Sequence, residues 1–395
     1  MTAVGPGRSV TVLVANPSSD IYGSDLQMLE SITAMVERGW KVVVATPDDG
    51  PLVALIEERG AEVLRVDCAV VRREYASPSG LWRLVRESFS SLRNLLRVLR
   101  TLRPTLVYAN TITIPWWFVA ARLCRVPVVC HVHEAEAEDP LPVRLVLYGP
   151  LLLAHRLIVI SRPSMETVCA TVPRLRRRAT MIFNGVREPT EPPHPAVAGP
   201  GPRRLVVLGR LSPRKGTDVA LEAVALLRRS GRDVTLDVCG STFPGYEWFE
   251  EQLRRRAAES DLDGAVDFSG YISPIWPALE RAEVSVAPSL REPFGNAVVE
   301  AQLAQRPVVA AAAMGHLETV IDGETGLLVT PGDAQATADA IARLLDDGEL
   351  AARIAETARR TAEERFSLTR YRREVADLLA AVMELPAGGS DGRSA

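Results

Sequence analysis

The chain has 395 residues, 47% of them hydrophobic and 24% charged, with a formal net charge of −3. This composition excludes a disordered, collagen-like or disulfide-framework protein, and the length suits two buried cores better than one. The five cysteines (Cys68, Cys124, Cys130, Cys169, Cys239) are scattered and form no C-x-x-C pair, which argues for a reducing compartment and against structural zinc.

The stretch MTAVGPGRSVTVLVANP lacks the charged-then-apolar layout of a secretory leader. The longest apolar run, 145–154, contains Gly and Pro and is about half of a membrane span. A cytoplasmic protein is expected. Of the 46 basic residues only Lys41 and Lys215 are lysines, so a lysine inside a motif carries unusual weight. Residues 1–186 hold 22 basic and 17 acidic side chains, leaving 24 and 32 for the rest. No strong basic excess marks a nucleic-acid binder.

Short apolar strands alternate with amphipathic helices along the chain. Strands are expected at 10–15, 41–46, 106–109, 126–131 and 157–160, then at 204–209, 235–239, 266–269, 284–287 and 307–310. Near-continuous Val/Ile/Leu runs separated by helices predict parallel βαβ units buried on both faces. The Pro- and Gly-rich segment REPTEPPHPAVAGPGP, 187–202, reads as a linker between two doubly wound α/β domains, 1–186 and 203–366. A helix is expected at 367–385 and a disordered tail at 386–395. In such folds ligands sit beyond the carboxyl ends of the strands, and here also between the domains.

In the first half, Gly23 follows the first strand and precedes a helix, where a missing Cβ lets backbone approach a phosphate or sugar. In 81–104, Arg83, Arg86, Arg93, Arg97 and Arg100 share one helix face, opposite Leu84, Val85, Leu92, Leu95, Leu96, Leu99 and Leu102. The leucines predict packing on a sheet. The arginine stripe suits a peripheral contact with an anionic membrane surface. In VVCHVHEAEAED, 128–139, His131, His133 and Glu134 lie at the carboxyl end of a strand, with both histidines on one side by alternation. Glu136, Glu138 and Asp139 have no fixed partner there, so no metal is expected.

In the second half, LVVLGRLSPRKGTDVALEAVALL, 205–227, runs from a strand into a loop carrying Arg210 and Lys215, two cations placed to neutralise phosphates. In LREPFGNAVVEAQLAQRPVVAA, 290–311, Glu292 precedes a helix that contains Glu300. At helical rise the carboxylates stand roughly 9–12 Å apart, about the length of a diphosphate with a sugar beginning at each end. The helix N-terminus between them suits the diphosphate itself. Asp261-Leu262-Asp263 imitates a D-x-D metal motif but falls in a polar loop, where a solvated turn is expected.

These segments resemble the GT-B glycosyltransferases. The run from Gly209 is similar to their GRL-x-x-x-KG segment, and Glu292 to Glu300 matches the E-x7-E motif of the retaining family 4 type. NGV at 184–186 matches the interdomain hinge, and GYIS at 270–273 and DGETGLLVTPGD at 322–333 also fit. The resemblance implies a GT-B fold, two Rossmann-like domains facing a central cleft, with the 367–385 helix returning to the first domain. It implies that Arg210 and Lys215 stabilise the leaving diphosphate and that Glu300 binds ribose hydroxyls. Glu292, with the backbone of Phe294, Gly295 and Asn296, would hold the donor sugar, and Gly240 and Ile272 would flank the base. His133-Glu134 aligns with an active-site His-acid pair. The family often has two adjacent glycines where this chain has Tyr22-Gly23-Ser24-Asp25. A donor-side role therefore carries over to Gly23 alone, leaving Ser24 and Asp25, with Glu134, on the acceptor side.

The expected activity is retaining, metal-independent transfer of a hexose-type sugar from a nucleoside-diphosphate sugar to a hydroxyl acceptor, with no cofactor beyond the donor. A lipid-linked, glycan or small-metabolite acceptor, cell-surface polysaccharide assembly and the inner membrane face all suit this reading. A GT-B nucleotide-sugar epimerase and a non-catalytic sugar-nucleotide-binding protein stay open as alternatives. A dehydrogenase fits less well, because neither domain shows G-x-G-x-x-G after its first strand.

Overall fold

A computed structural model describes residues 10–71, 78–195, 201–243 and 245–384, with backbone alone over 78–86. The chain divides into two compact units, one reaching Gly185 and resuming at Leu368, the other spanning Val186–Ser367.

The first unit contains β1 (Thr11–Ala15), α1 (Gly23–Glu37), β2 (Lys41–Thr46), α2 (Pro51–Glu58), β3 (Glu62–Arg65), α3 (Pro78–Leu102), β4 (Leu106–Ala109), α4 (Pro115–Cys124), β5 (Val128–Val132), α5 (Leu141–Tyr148), β6 (Arg156–Val159), α6 (Arg162–Thr171) and β7 (Ala179–Met181). Its strands pair in parallel in the order β3-β2-β1-β4-β5-β6-β7. Val12, Leu13, Val14 and Ala15 of the central strand are completely buried, because both sheet faces are covered by helices. Winding reverses between β1 and β4, so a crevice forms where their carboxyl ends diverge.

The second unit contains β8 (Arg203–Leu208), α7 (Thr217–Arg229), β9 (Val234–Cys239), α8 (Glu247–Ala257), β10 (Val266–Gly270), α9 (Trp276–Arg281), β11 (Val284–Ala287), α10 (Asn296–Leu303), β12 (Val308–Ala311), α11 (His316–Thr319), β13 (Leu327–Val329), α12 (Ala334–Asp346) and α13 (Gly348–Phe366). The order β10-β9-β8-β11-β12-β13 reverses between β8 and β11. Two doubly wound parallel sheets are the architecture expected from the strand–helix alternation.

The expected strands all occur, with ends shifted by at most two residues. Sequence reasoning missed β3, β7 and β13. Each is an edge strand of three or four residues, and the first two are only partly buried, so they lack the continuous apolar run that marks a central strand.

A final helix, α14 (Leu368–Glu384), packs against α1 in the first unit. Its Tyr371 is fully buried and its hydroxyl lies 2.6 Å from Ser31 Oγ, which in turn lies 3.0 Å from the Tyr108 hydroxyl. Arg372 pairs with the buried Glu30, which also accepts from Arg59 at 3.2 Å. Burial pushes the Glu30 carboxyl up, but the two guanidiniums outweigh it and hold the pKa below its ordinary value.

The linker expected at 187–202 is partly claimed by the second unit: His194 Nδ1 lies 3.0 Å from Glu280, and Arg306 donates to the His194 carbonyl at 2.7 Å. Residues 196–200 and the tail from 385 lie outside the described residues. In α3, Leu95 and Leu99 are buried while Arg93, Arg97 and Arg100 are exposed, as the amphipathic pattern requires. The Arg83 and Arg86 side chains lie outside the described residues. Among the described residues no helix is long and apolar enough to cross a membrane.

Candidate active site

At the reversal point of the second unit, the loops after β8 and β11 meet. Leu290 N–H donates to the Arg214 carbonyl at 2.8 Å, docking one loop on the other. Gly216 makes this docking feasible. Its φ is +65°, and a Cβ there would fall 2.2 Å from the Pro288 carbonyl oxygen. The docked loop brings Lys215 into an ion pair with Glu292, 77 residues away. Burial alone would raise the Glu292 carboxyl, but Lys215, helped by Arg214, holds it below the usual carboxylate range.

The pair lines a pocket with Gly209, Arg210, Thr217, Ser289, Gly295 and His316. Two helix N-termini, those of α7 and α10, begin within this lining, so partial positive charge adds to Lys215 and Arg210. The Arg210 guanidinium rests 3.7 Å from the Phe243 ring centroid. Glu300 follows on α10. Burial pushes its carboxyl up to about 7, and Lys215 only partly opposes the shift. A carboxyl in that state is poised between proton donor and acceptor at neutral pH.

The remaining expected residues of this unit occupy identifiable places. Phe294 is buried and packs edge-to-face on Phe366 with centroids 5.5 Å apart, so its ring belongs to the core and only its backbone faces the loop. Gly295 caps α10 with φ +102° and Asn296 is the first helical residue. Gly240 opens the loop after β9 against the Gly209 carbonyl, and Ile272 packs on the core cluster containing Cys239. Asp261 is held by Arg256 through contacts of 2.8 and 3.0 Å, and Arg229 adds a third at 3.3 Å.

In the first unit, the carboxyl ends of β1, β4 and β5 carry Asn16, Asn110 and His133. Asn16 Nδ2 donates to Asp25 at 2.8 Å, Asn110 Nδ2 donates to Asn16 Oδ1 at 3.0 Å, and His133 Nε2 lies 3.1 Å from Asn110 Oδ1. This directional chain fixes the proton on His133 Nε2 and leaves Nδ1 as the acceptor. Burial lowers the His133 pKa to about 3, so the ring is neutral. His131 is fully buried, with Nδ1 2.6 Å from the Tyr108 hydroxyl and its ring 4.0 Å from that of His133.

Two residues expected on the acceptor side have protein partners. Asp25 is buried and accepts from Tyr22 N–H at 2.9 Å in the capping box of α1 as well as from Asn16. Glu134 also turns its carboxylate to the protein, accepting from Thr111 Oγ1 at 2.5 Å and from His133 N–H at 2.9 Å. Short loops after strands leave backbone N–H groups without ladder partners, and these carboxylates satisfy them. Ser24 and Gly23 start α1, and a Cβ on Gly23 would meet no protein atom within 4 Å. No group of three or more His, Cys, Asp or Glu residues suited to a metal ion occurs among the described residues.

Residues 23–188 match the family described as Glycosyltransferase Family 4, and residues 194–361 match Glycosyl transferases group 1. The chain belongs to the family 4 type glycosyltransferases of GT-B fold. The fold is that of Anabaena HepE, crystallised in complex with UDP and glucose: the TM-score is 0.78 over 94% of this chain and 99% of that one, at 23% identity. Among sequence relatives, the putative glycosyltransferase EpsD of Bacillus subtilis is 34% identical over 46% of each chain. The glycogen synthase of Mycobacterium tuberculosis is 30% identical over 66% of this chain and 64% of its own. These matches thus span about half to two-thirds of the relatives' length.

Around these two strand reversals, sequence reasoning missed Asn16, Asn110, Thr217 and His316. Asn16 and Asn110 each directly follow a central strand, and their matching position at the reversal point is the signal that could have found them. His316 lies five residues past β12, in the stretch AAAMGHLET.

Proposed function

We propose that the chain transfers a hexose-type sugar from a nucleoside-diphosphate sugar to a hydroxyl acceptor with retention of anomeric configuration. The Lys215–Glu292 pair at the reversal point of the second unit carries this reading. It combines a cation for phosphate with a carboxylate for sugar hydroxyls at the start of α10. Lys215 and Arg210 neutralise the diphosphate, Glu292 and the backbone of residues 294–296 hold the sugar, and Glu300 takes the ribose hydroxyls. His133 is the catalytic group assigned to the first unit, which presents the acceptor.

In the reaction the C1–oxygen bond to the diphosphate breaks and its electron pair leaves with the phosphate oxygen. The acceptor hydroxyl bonds to C1 on the face just vacated and gives its proton to the departing phosphate. Positive charge fixed beforehand around that oxygen supplies the acceleration. Because Lys215, Arg210 and two helix termini provide this charge, no divalent metal is assigned.

Work on a cell-surface glycoconjugate at the inner membrane face suits α3. Phe89 is 75% exposed on the face that carries Arg93, Arg97 and Arg100, combining an apolar anchor with three cations.

The test is turnover of a nucleotide-sugar panel with sugar and alcohol acceptors, with NMR of the product's anomeric proton. Transfer with retention, undiminished by a chelator, is expected. Inversion, or a freed or isomerised sugar nucleotide without acceptor, would overturn the reading.

A further inference from the structure

His316 is 1% exposed, yet it lines the pocket with Lys215 and Glu292. Its Nδ1 lies 3.0 Å from the Ala311 carbonyl oxygen at the end of β12, and only a protonated Nδ1 makes that contact favourable. Nε2 is therefore the unprotonated nitrogen, and it has no hydrogen-bond partner among the described residues. An acceptor nitrogen in the lining of a pocket, without a protein partner, is available to a partner from outside.

The neighbouring backbone keeps this nitrogen accessible. A Cβ on Gly295 would stand 2.8 Å from His316 Cδ2, 3.2 Å from Nε2 and 3.6 Å from Glu292 Cγ, so the bare glycine leaves open the space between imidazole and carboxylate. Gly315 N–H donates to the Glu292 carbonyl at 2.8 Å, and a Cβ on Gly315 would strike the Phe294 backbone at 2.4 Å. The loop bearing His316 is thus locked to the loop bearing Glu292. Burial lowers the His316 pKa, so the ring stays neutral and acceptor-capable across the physiological range.

We propose that His316 is a specificity-determining residue of the donor site, its Nε2 accepting a hydrogen bond from a hydroxyl of the donor sugar held by Glu292. A neutral imidazole nitrogen selects O–H donors and rejects a deoxy position, because the desolvated nitrogen would be left unpaired. Glu292 selects by charge beside it, so two acceptors of different strength read two edges of the sugar. The inference rests on the donor-site reading above.

Calorimetry compares the best-binding nucleotide sugar, its deoxy-sugar analogues and the parent nucleoside diphosphate on wild type, His316→Leu and His316→Gln. The nucleoside diphosphate should bind all three proteins within about threefold. His316→Leu should lose about five- to tenfold in affinity for the sugar nucleotide, and His316→Gln, which keeps an acceptor oxygen, should recover part of it. One deoxy analogue should bind wild type and His316→Leu equally. Equal affinity of wild type and His316→Leu for the full donor overturns the proposal, as does a parallel loss for nucleoside diphosphate and donor, which marks a structural role. Failure of wild type to bind any nucleotide sugar instead overturns the donor-site reading, and this proposal with it.

Discussion

Lys215 and Glu292 form an ion pair that joins the loops after two neighbouring parallel strands, and Gly216 permits the approach. Each residue alone would be costly in this partly enclosed place, and together they leave a pocket with a fixed cation and a fixed carboxylate.

Replacing Lys215 by Ala should lower kcat/KM by about two to three orders of magnitude, as for loss of a preorganised charge at a leaving group. Lys215→Arg should restore part of it. Steady-state kinetics at matched thermal stability checks this. A loss of under threefold contradicts the assignment.

Glu300 leads to a pH signature. Its folded pKa of about 7 lies above the ordinary 4.5, so the folded state resists its ionisation. The stability it contributes is complete below pH 4.5 and is lost as pH rises through 7. In the ligand-free protein, Glu300→Gln should match wild type at pH 4 and be more stable by about 1–3 kcal/mol at pH 8. Denaturant titrations at the two pH values decide it, and a pH-independent difference refutes the shift.

The Asp25–Asn16–Asn110–His133 chain should set the histidine tautomer. Asn110→Ala frees His133 Nε2 and should reduce kcat about tenfold with the donor KM nearly unchanged. A change in KM alone argues that the chain only shapes the pocket.

Arg372→Met removes one of two cations from Glu30 and should destabilise the first unit by about 1–3 kcal/mol at pH 7. The penalty should shrink as pH falls through the folded pKa of Glu30, because its depressed pKa contributes stability only while the carboxylate is ionised. Thermal melts from pH 7 down through the acid range test both statements.

The second unit's candidate segments stand out in the sequence because each is local: two cations before one helix, and one glutamate before another helix with a second inside it. The central strands were legible for the same reason, as runs buried on both faces. What sequence could not supply was the meeting of distant segments. His316 joins Glu292 through loop docking, and Asn16 meets Asn110 only because β1 and β4 are neighbours. Asp25 and Glu134 were expected on the acceptor side, and their bonds to the backbone amides of Tyr22 and His133 had no signal in the sequence. The short edge strands were silent because three or four residues, half-exposed in β3 and β7, carry little hydrophobic pattern.

Binding of UDP, GDP, ADP and dTDP and their hexose esters to wild type and Lys215→Ala, read by calorimetry, addresses the second unit's pocket most directly. At least one nucleoside diphosphate should bind wild type and weaken tenfold or more in the variant, with its hexose ester behaving alike. Equal binding by both proteins, or none by wild type, would contradict it.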